Sequence, residues 1–578
     1  MQQYFSRGIK SLVLRHGPPS YDEFDSLVAE PARVALYSPN GAAFAYSTAK
    51  ETKVLDPETR QEVCTIPEAA ADMYFSPLGR FLVTWTRAKK DASSGNWIPN
   101  LKIWSSTTGE FLNAYVQVNQ GSFRGGWHVQ FTADEQFCVQ QVGAKQLIVT
   151  ECTTEDALRS QKTRVGSLSV PAGIEEFGVS PGRNPSVSVF VGASNGKPAS
   201  IRVYKLPSLA HPVAQRTLFK AESVLCQWNK LGTALLVVAQ TDVDSSNKSY
   251  YGESTLYLLS VNSGADQRIM LPKEGPVYDV AWSPESDQFG VVYGLMPART
   301  SFFDTRGTET LTLPLAPRNH IKYSPQGKLV IVAGFGNLRG NMDIYDRTQN
   351  FAKVGELLAT NSSYYDWSPC GKFILTATTS PRMRVDNGVK LWDYRGRLLY
   401  VHDDDELYSV GWKPFATPEE AAKASEKINV FDLKPHESAL KQPQAKPEAK
   451  TQGAYVPPHA RLSGAQPRAV RSLYDAAQNA PPGQQFRKPN PAKEPKRSWQ
   501  QQQQPAEAAA PSNVPVGGAP APKPEEKQIR SLVKKLRAID ELKQKQANGV
   551  PLEATQTQKI DTEKEVIAKL EALGWKNE

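Results

Sequence analysis

A group of basic residues near the C-terminal end is the most chemically suggestive feature of this 578-residue sequence. At about 100° per residue, four of them share one arc about 80° wide on a helix predicted to begin at Pro524. They are Lys527, Arg530, Lys534 and Arg537, and Lys535 lies beside them. Such side chains can neutralise the phosphates of a nucleic acid. The sequence therefore predicts an RNA contact surface, and the alternative is an ordinary solvated helix face.

The same helix has an apolar face that requires a partner. Its apolar residues are Ile529, Leu532, Val533, Leu536, Ile539 and Leu542. A second helix is predicted to begin at the capping sequence Thr555–Gln558 and to end at Gly574, and its apolar residues can cover that face. We therefore predict a helical hairpin over residues 523–578.

The segment before this hairpin, residues 436–522, has the composition of a disordered chain. It contains 15 prolines together with glutamine and alanine runs, so it cannot bury enough apolar surface to offset its chain entropy. Tyr455, Tyr474, Phe486 and Trp499 are interspersed among its basic residues. Cations that contact phosphate and rings that stack on unpaired bases are typical of RNA recognition. The candidate contacts in this arm are Arg487, Lys488, Lys496 and Arg497.

Two stretches resemble enzyme motifs but have the wrong context. Gly178–Gly182 spells the GxSxG of a hydrolase nucleophile elbow, which requires a helix after the serine, whereas Ser180 is followed by proline and an apolar strand pattern. Gly334–Gly340 is similar to a dinucleotide-binding fingerprint, but it has one residue too many and runs into a predicted strand. The seven histidines are dispersed, and no GxxxxGK[ST] phosphate-binding loop occurs. We therefore predict neither catalysis nor a metal or cofactor.

Charge and cysteine content narrow the class of protein further. The net charge is +9, and residues 416–578 carry 26 basic against 19 acidic residues, which places most of the excess in the last quarter. Five scattered cysteines form no CxxC site, and their odd number fits a reducing compartment. No stretch reaches the roughly 18 apolar residues of a membrane helix. These features predict a cytoplasmic protein without a membrane anchor.

The elements that carry these features are organised by a recurring turn. Its clearest copies have an aromatic residue, serine, proline and, in four of five, a glycine, as in Tyr323–Gly327 and Trp367–Gly371. The serine or its equivalent recurs nine times, 38 to 56 residues apart, at positions 38, 76, 132, 180, 229, 283, 324, 368 and 413. Proline and glycine preset and reverse the chain at such a turn. A period of this length corresponds to one small sheet.

The sequence after each turn completes the sheet. An apolar run such as Phe81–Trp85 or Phe373–Thr376 predicts a buried strand. A further strand ends in an aromatic residue, as in Lys102–Trp104, or in an aromatic residue followed by aspartate, as in Leu391–Asp393. These repeats have the form of a WD-type all-β propeller, here with nine blades. A β-sandwich is the alternative, but a sandwich of about 100 residues does not sustain this period over about 400 residues.

The two ends of the repeat region are predicted to close the ring. After the last turn there is room for inner strands ending at Ile428–Asp432 but no outer strand, whereas Lys10–Arg15 is a spare strand before the first turn. We expect this N-terminal strand to pair into the last blade, because an open edge would expose unpaired backbone groups. Thr417–Lys427 has helical character and is predicted to be an excursion within that blade. The propeller is assigned to residues 1–435.

Two insertions are predicted to protrude from the blades. They are Lys89–Asn100 and Asp242–Ser249. Loops of this kind are where a propeller usually contacts partners.

The repeat turns, together with Val332–Asp346, Trp367–Gly371 and Leu391–Asp393, resemble the eukaryotic translation initiation factor 2A family. The tail from Ile529 to Ile560 is similar to the C-terminal helices of that family. The resemblance implies a non-catalytic factor that binds the small ribosomal subunit and mRNA. It also implies codon-directed binding of initiator methionyl-tRNA without GTP hydrolysis by the factor. Other initiation factors are further expected partners.

Two alternatives remain at this point. One is a protein-only scaffold, for example a relative of the propeller subunit of the multisubunit initiation factor, whose tail would bind proteins and not RNA. The other concerns Tyr455–Arg461, which resembles a short motif of some RNA helicases and could dock an initiation partner or be a chance match.

Overall fold

The computed structural model describes residues 2–24, 31–121, 126–160, 163–194, 196–219, 221–241, 252–441 and residue 539. The chain divides into two compact units, Met1–Thr451 and Gln452–Glu578. The first unit is a nine-bladed β-propeller, which confirms the predicted fold class and number of blades.

Eight blades are four-stranded antiparallel meanders, and the ninth has three strands. The chain begins with β1 (Gln3–Gly8) and β2 (Leu12–His16). Blade 1 consists of β3 (Val34–Tyr37), β4 (Phe44–Ser47), β5 (Thr52–Leu55) and β6 (Glu62–Ile66), and blade 2 of β7 (Asp72–Phe75), β8 (Phe81–Trp85), β9 (Leu101–Ser105) and β10 (Phe111–Tyr115). Blade 3 consists of β11 (Val129–Phe131), β12 (Phe137–Val142), β13 (Gln146–Glu151) and β14 (Arg164–Ser169), with the short helix α1 (Glu155–Arg159) before β14. Blade 4 consists of β15 (Glu176–Val179), β16 (Ser186–Val191), β17 (Ala199–Lys205) and β18 (Pro212–Leu218).

Blades 5 to 8 repeat the same order. Blade 5 consists of β19 (Ser223–Trp228), β20 (Ala234–Gln240), β21 (Ser254–Ser260) and β22 (Asp266–Ile269), and blade 6 of β23 (Val277–Trp282), β24 (Gln288–Tyr293), β25 (Arg299–Asp304) and β26 (Glu309–Thr312). Blade 7 consists of β27 (His320–Tyr323), β28 (Leu329–Ala333), β29 (Asn341–Asp346) and β30 (Ala352–Leu358). Blade 8 consists of β31 (Tyr364–Trp367), β32 (Phe373–Thr378), β33 (Gly388–Asp393) and β34 (Leu398–Asp403). The fourth strand of each blade is not marked by the recurring turn. Such strands as β26 are short and half-exposed, so they lack the apolar run that identifies an inner strand.

The recurring serine stabilises the turn between the first two strands of a blade. Its hydroxyl accepts a hydrogen bond from the backbone N–H that opens the second strand, at 2.9 Å for Ser76 and Phe81 and at 3.0 Å for Ser368 and Phe373. The amide oxygen of Asn229 accepts the equivalent bond in blade 5. This function explains why serine alternates with threonine and asparagine, which can also accept there.

The aromatic residue before the serine connects neighbouring blades. The indole N–H of Trp282 donates to the carbonyl oxygen of Gln227 in the preceding blade at 3.0 Å, and that of Trp367 donates to Lys322 in the same way at 3.3 Å. In both pairs the acceptor lies two residues before the marker of the preceding blade. The apolar faces of adjacent sheets pack between these contacts, for example Phe81 of blade 2 stacked on Phe131 of blade 3, so the core is a series of layers between blades.

Both ends of the first unit close the ring, as predicted, but the N-terminal end contributes two strands of the closing blade and the C-terminal end contributes one. Two N-terminal strands take part, because β1 pairs with β35 (Leu407–Trp412) and β2 pairs with β1. The register places Tyr4 opposite Trp412 and Ser6 opposite Val410. The missing fourth strand is replaced at one point by Glu23, which forms a bridge to Arg15.

The prediction of inner strands ending at Ile428–Asp432 was wrong. After β35 the chain forms α2 (Pro418–Lys427), a 3-10 helix (Val430–Asp432) and α3 (Glu437–Leu440). The helix over 418–427 is confirmed, since Thr417 caps it by accepting the Glu420 N–H at 3.2 Å. It follows the last strand and does not interrupt the blade. β1 already occupies the edge of β35 that the predicted inner strands would have required.

Burial of the cysteine thiols leads to a prediction about reactivity and pH. Burial raises the pKa of Cys64 to about 11 and that of Cys138 to about 12, and it also raises those of Cys152, Cys226 and Cys370. All five are free. At pH 8 we expect a disulfide exchange reagent to modify them slowly unless denaturant is added, because the thiolate reacts.

The same shifts set the sign of a stability change. Thiols ionise near pH 9 in the unfolded chain but stay protonated in the fold, so the free energy of unfolding is expected to fall as pH rises above about 9. Urea titrations at pH 7.5 and 10 check this. Rapid labelling of all five thiols in the native protein at pH 8 would contradict the burial on which both expectations depend.

Candidate functional site

The residues predicted to contact RNA lie outside the described part of the chain. They are Lys527, Arg530, Lys534, Lys535, Arg537, Arg487, Lys488, Lys496 and Arg497. The Tyr455–Arg461 motif and the insertion Asp242–Ser249 also lie outside it. Of the predicted hairpin only Ile539 is described, and it is helical and buried. The candidate surfaces with described geometry are therefore those of the ring.

A meander of four strands gives the ring two different faces. The recurring serine turns and the turns between third and fourth strands lie on one face, which we call the turn face. The connections between second and third strands, and those between blades, lie on the opposite loop face. Of the described segments, the loop face carries the insertion Lys89–Asn100 and the glycine-rich stretch of blade 7.

The glycine-rich stretch between β28 and β29 is shaped by close backbone contacts. A Cβ atom at Gly334 would collide with the carbonyl oxygen of Pro317, and Gly340 has a φ of +90° against the backbone of Ala359. Only glycine tolerates both requirements without strain. The resemblance to a dinucleotide-binding loop is thus explained by packing of one blade connection against its neighbours.

Asn319 fixes the centre of this stretch. Its side-chain amide donates to the carbonyl oxygen of Phe335 at 3.0 Å and accepts from the Phe335 N–H at 2.9 Å. Next to it, Arg318 is buried and donates from two nitrogens to one carboxylate oxygen of Asp343, at 2.9 and 2.5 Å. Lys353 reaches the other oxygen at 2.7 Å. These polar contacts hold the loop on the third strand of its own blade.

An aromatic group lies on the same side of the loop. The ring of Phe335 is 5.0 Å from that of Tyr365 and 5.7 Å from that of His320, between centroids. Lys322 lies 5.7 Å from the Tyr365 centroid and pairs with Asp366 at 2.6 Å. Burial raises the pKa of Tyr365 above the ordinary value of a phenol. His320 and Lys322 come from β27 and Tyr365 and Asp366 from β31, the first strands of blades 7 and 8, whereas Phe335 belongs to the glycine-rich connection.

Blade 8 adds basic residues that sequence reasoning did not identify. The guanidinium of Arg382 lies 3.4 Å from the position of a Cβ at Gly336, and both Arg382 and Arg384 are exposed. Their connection, between β32 and β33, is adjacent in space to the glycine-rich stretch but 45 residues away in sequence. The close spacing of Arg382 and Arg384 was the available sequence signal for a basic surface, although nothing in the sequence placed them beside blade 7.

The insertion Lys89–Asn100 is described and has the form of a small hairpin. Lys90 bridges Trp97 across it, with the ammonium 5.0 Å from the ring centroid. The carboxylate of Asp91 accepts from the backbone N–H groups of Ser93 and Ser94, and bonds to these serines hold its pKa well below the usual range. The insertion therefore projects one fixed aromatic and basic tip from blade 2.

The stretch that resembles a hydrolase motif has a structural explanation. Ser180 is buried in a turn between β15 and β16, and its hydroxyl accepts the Ser186 N–H at 2.8 Å. It occupies the same position as the other marker serines. Within the described residues, no group of three or more histidine, cysteine, aspartate or glutamate side chains is arranged to hold a metal ion. No helix of the described part is long and apolar enough to span a bilayer.

Comparison with known proteins extends this description to the whole chain. The family model described as eukaryotic translation initiation factor eIF2A matches residues 216–410, which span blades 5 to 8 and the start of the closing strand. A second model, the C-terminal domain of eukaryotic translation initiation factor 2A, matches residues 527–573. That second match includes five of the predicted RNA contacts, from Lys527 to Arg537.

Individual relatives agree over nearly their full lengths. The eukaryotic translation initiation factor 2A of Schizosaccharomyces pombe is 39% identical, with 99% of this chain and 98% of the relative covered. That of Saccharomyces cerevisiae is 34% identical, with both chains covered completely. A crystal structure of a eukaryotic initiation factor, 38% identical, superposes with a TM-score of 0.64 over 72% of this chain and 98% of the other. This chain therefore belongs to the eukaryotic translation initiation factor 2A family.

Proposed function

We propose that this protein binds the small ribosomal subunit and promotes codon-directed binding of initiator methionyl-tRNA, without itself hydrolysing GTP or catalysing another reaction. The observation that carries the proposal is the 39% sequence identity to a translation initiation factor over 99% of this chain, together with the family match over the basic C-terminal segment. The sequence contains no GxxxxGK[ST] loop, and this supports a factor that does not hydrolyse GTP. Such a factor acts in the cytoplasm.

In this proposal the two units have different functions. The ring is a rigid docking platform for proteins, and the tail cations contact ribosomal RNA, mRNA or tRNA through phosphates. Lys527, Arg530, Lys534, Lys535 and Arg537 supply the helical contacts. Arg487, Lys488, Lys496 and Arg497 extend them along the preceding arm. A platform of this kind needs no reactive residue, because its effect is to hold partners together.

A charge-reversal variant tests the tail. Replacing Lys527, Arg530, Lys534 and Arg537 with glutamate should weaken binding to purified small subunits and flatten its salt dependence. Each lost phosphate contact should reduce the slope of log K against log salt by about 0.7 to 0.9. Binding is measured by sedimentation between about 50 and 200 mM potassium, with an AUG-containing message and labelled initiator tRNA present.

A matched control separates this effect from a general change in charge. Lys145, Arg183, Lys197 and Lys230 are exposed on the ring, and their replacement with glutamate changes the net charge equally. We expect this control to keep the wild-type slope. An unchanged slope in the tail variant would show that the basic arc is an ordinary solvated surface and does not contact phosphates. Ribosome binding that resists nuclease treatment and persists in the tail variant would instead favour the protein-only scaffold.

A further inference from the structure

Four large apolar side chains are exposed together on the loop face of blades 5 and 6. Met270 is 73% exposed, Leu315 56%, Leu295 45% and Met296 40%. We call these four residues the apolar ridge. Single exposed apolar residues are normal on a protein surface, whereas a group of them indicates an interaction site.

The backbone holds the ridge residues next to one another. Leu295 N–H donates to the carbonyl oxygen of Glu274 at 3.0 Å, which ties its loop to the connection that follows Met270. Ala316 N–H donates to Ala298 at 3.1 Å, which ties Leu315 to the loop of Met296. The Lys273 ammonium also donates to the carbonyl oxygen of Pro297. The ridge is therefore a preorganised surface on three loops that are bonded to one another.

A depression lies at one side of the ridge. Its volume is about 370 Å³, and its lining includes the apolar residues Met270, Leu271 and Leu295, the basic residues Arg268 and Lys273, and the acidic residues Glu253 and Glu274. A cavity of this size accepts one or two apolar side chains of a partner. Anchoring of a few side chains in such depressions supplies most of the affinity in many protein interfaces.

Basic residues continue the surface beyond the ridge. Pro317, two residues after Leu315, packs against Gly334 of the glycine-rich stretch, and the guanidinium of Arg382 lies beside Gly336 of that stretch. Arg339, Arg382 and Arg384 are exposed along this path, and we call them the arginine group. No acidic residue of the described chain forms an ion pair with Arg382 or Arg384. The loop face of blades 5 to 8 thus carries the apolar ridge and, beside the glycine-rich stretch, the exposed arginine group.

We propose that this surface binds an acidic amphipathic segment of a partner protein, with apolar side chains on the ridge and carboxylates on the arginine group. Charge complementarity selects an acidic partner, since arginine pairs with carboxylates through parallel hydrogen bonds. RNA is the less suitable ligand because it binds aromatic faces by base stacking, whereas this ridge consists of methionine and leucine. Methionine-rich surfaces adapt to apolar protein side chains.

The test selects peptides with the full-length protein. A random library of 16-residue peptides on phage is the probe, and a selected peptide is then synthesised and its affinity measured by fluorescence polarisation. We expect sequences that combine leucine or phenylalanine with several aspartates or glutamates. We expect R382E/R384E to weaken their binding at least about tenfold, and M296D/L315D to weaken it equally.

Controls at exposed positions elsewhere keep the result specific. K145E/K197E, in blades 3 and 4, matches the charge change, and L231D, at a position 59% exposed on the turn face, matches the loss of an apolar side chain. Both should bind the peptide as the wild type does. Thermal melts of every variant show whether the ring is still folded. A ridge variant that melts early is replaced with M270D, at the most exposed ridge position.

Four results would overturn the proposal. They are the absence of enriched peptides, enriched peptides without acidic residues, enriched sequences that copy a stretch of this chain, and concentration-dependent dimerisation abolished by M296D/L315D. Binding of a uridine 20-mer that is lost in R382E/R384E, while the peptides still bind, would assign the arginine group to RNA and overturn it as well. None of these results depends on the tail charges tested above.

Discussion

Deletion of residues 1–16 is expected to abolish stable folding of the propeller. The deletion removes β1 and β2, which are two of the three strands of the closing blade. It also removes five buried apolar side chains, Tyr4, Phe5, Leu12, Val13 and Leu14. At about 1.5 to 3 kcal/mol each, their loss is of the same order as the entire stability of a typical domain, about 5 to 15 kcal/mol. The exposed edge of β35 would in addition promote aggregation.

The measurement is soluble yield and the thermal melt of the truncated chain, monitored by circular dichroism. A peptide of residues 1–18 supplied with the truncated chain should restore part of the yield, because the two strands form a local hairpin with a defined register on β35. A peptide of the same composition in scrambled order is the control. A truncated chain that melts within a few degrees of the wild type would show that the N-terminal strands are dispensable for closure.

Replacement of Asp343 with asparagine is expected to destabilise the ring by about 3 to 5 kcal/mol, because it leaves the buried guanidinium of Arg318 without a counter-charge. Both side chains are less than one tenth exposed, and the nitrogen to oxygen distance is 2.5 Å. Lys353 also loses its contact with the second carboxylate oxygen, but its partly exposed ammonium can turn towards solvent. The change is measured as the urea midpoint, with hydrogen exchange reporting on residues 334–340.

Two further variants show whether burial is the cause. E309Q breaks the ion pair of Arg299 and Glu309, which has a comparable distance of 2.8 Å but is 30% exposed on both sides, and it should cost at most about 1 kcal/mol. R318M/D343L removes both charges and should cost less than D343N, because no charge is left unpaired. Equal effects of D343N and E309Q would contradict the assigned importance of the buried pair.

Closure of the ring by the N-terminal end could be predicted in part from the sequence. A spare strand before the first turn and a missing outer strand after the last turn indicated closure, because backbone groups must find partners wherever a sheet would otherwise end. The sequence pattern did not show that two strands come from the N-terminus. β1 reads Gln-Tyr-Phe-Ser-Arg-Gly, and it is identified as an inner strand only by the ring that surrounds it.

The surface proposed for partner binding was largely inaccessible from the sequence. Its glycine-rich stretch was visible as a motif, but Met270, Leu315 and Arg382 lie on three connections with no common spacing. They meet because consecutive blades place every such connection on one face of the ring. The RNA contacts predicted for the tail are the opposite case, since the helical period alone predicts that Lys527 and Arg530 share one arc.

What the sequence determined by itself is the repeat and its local chemistry. Serine, asparagine and glycine act within a turn of about six residues, so their effect is encoded where they occur, and nine copies indicate nine blades. Thr417 likewise specifies the start of α2 through a bond to a backbone N–H three residues away. The tertiary structure alone decided how the ends share the closing blade and which loops adjoin. Those features depend on contacts between residues up to about 400 positions apart, such as Arg7 with Ser409, and no local pattern specifies which distant backbone group will be the partner.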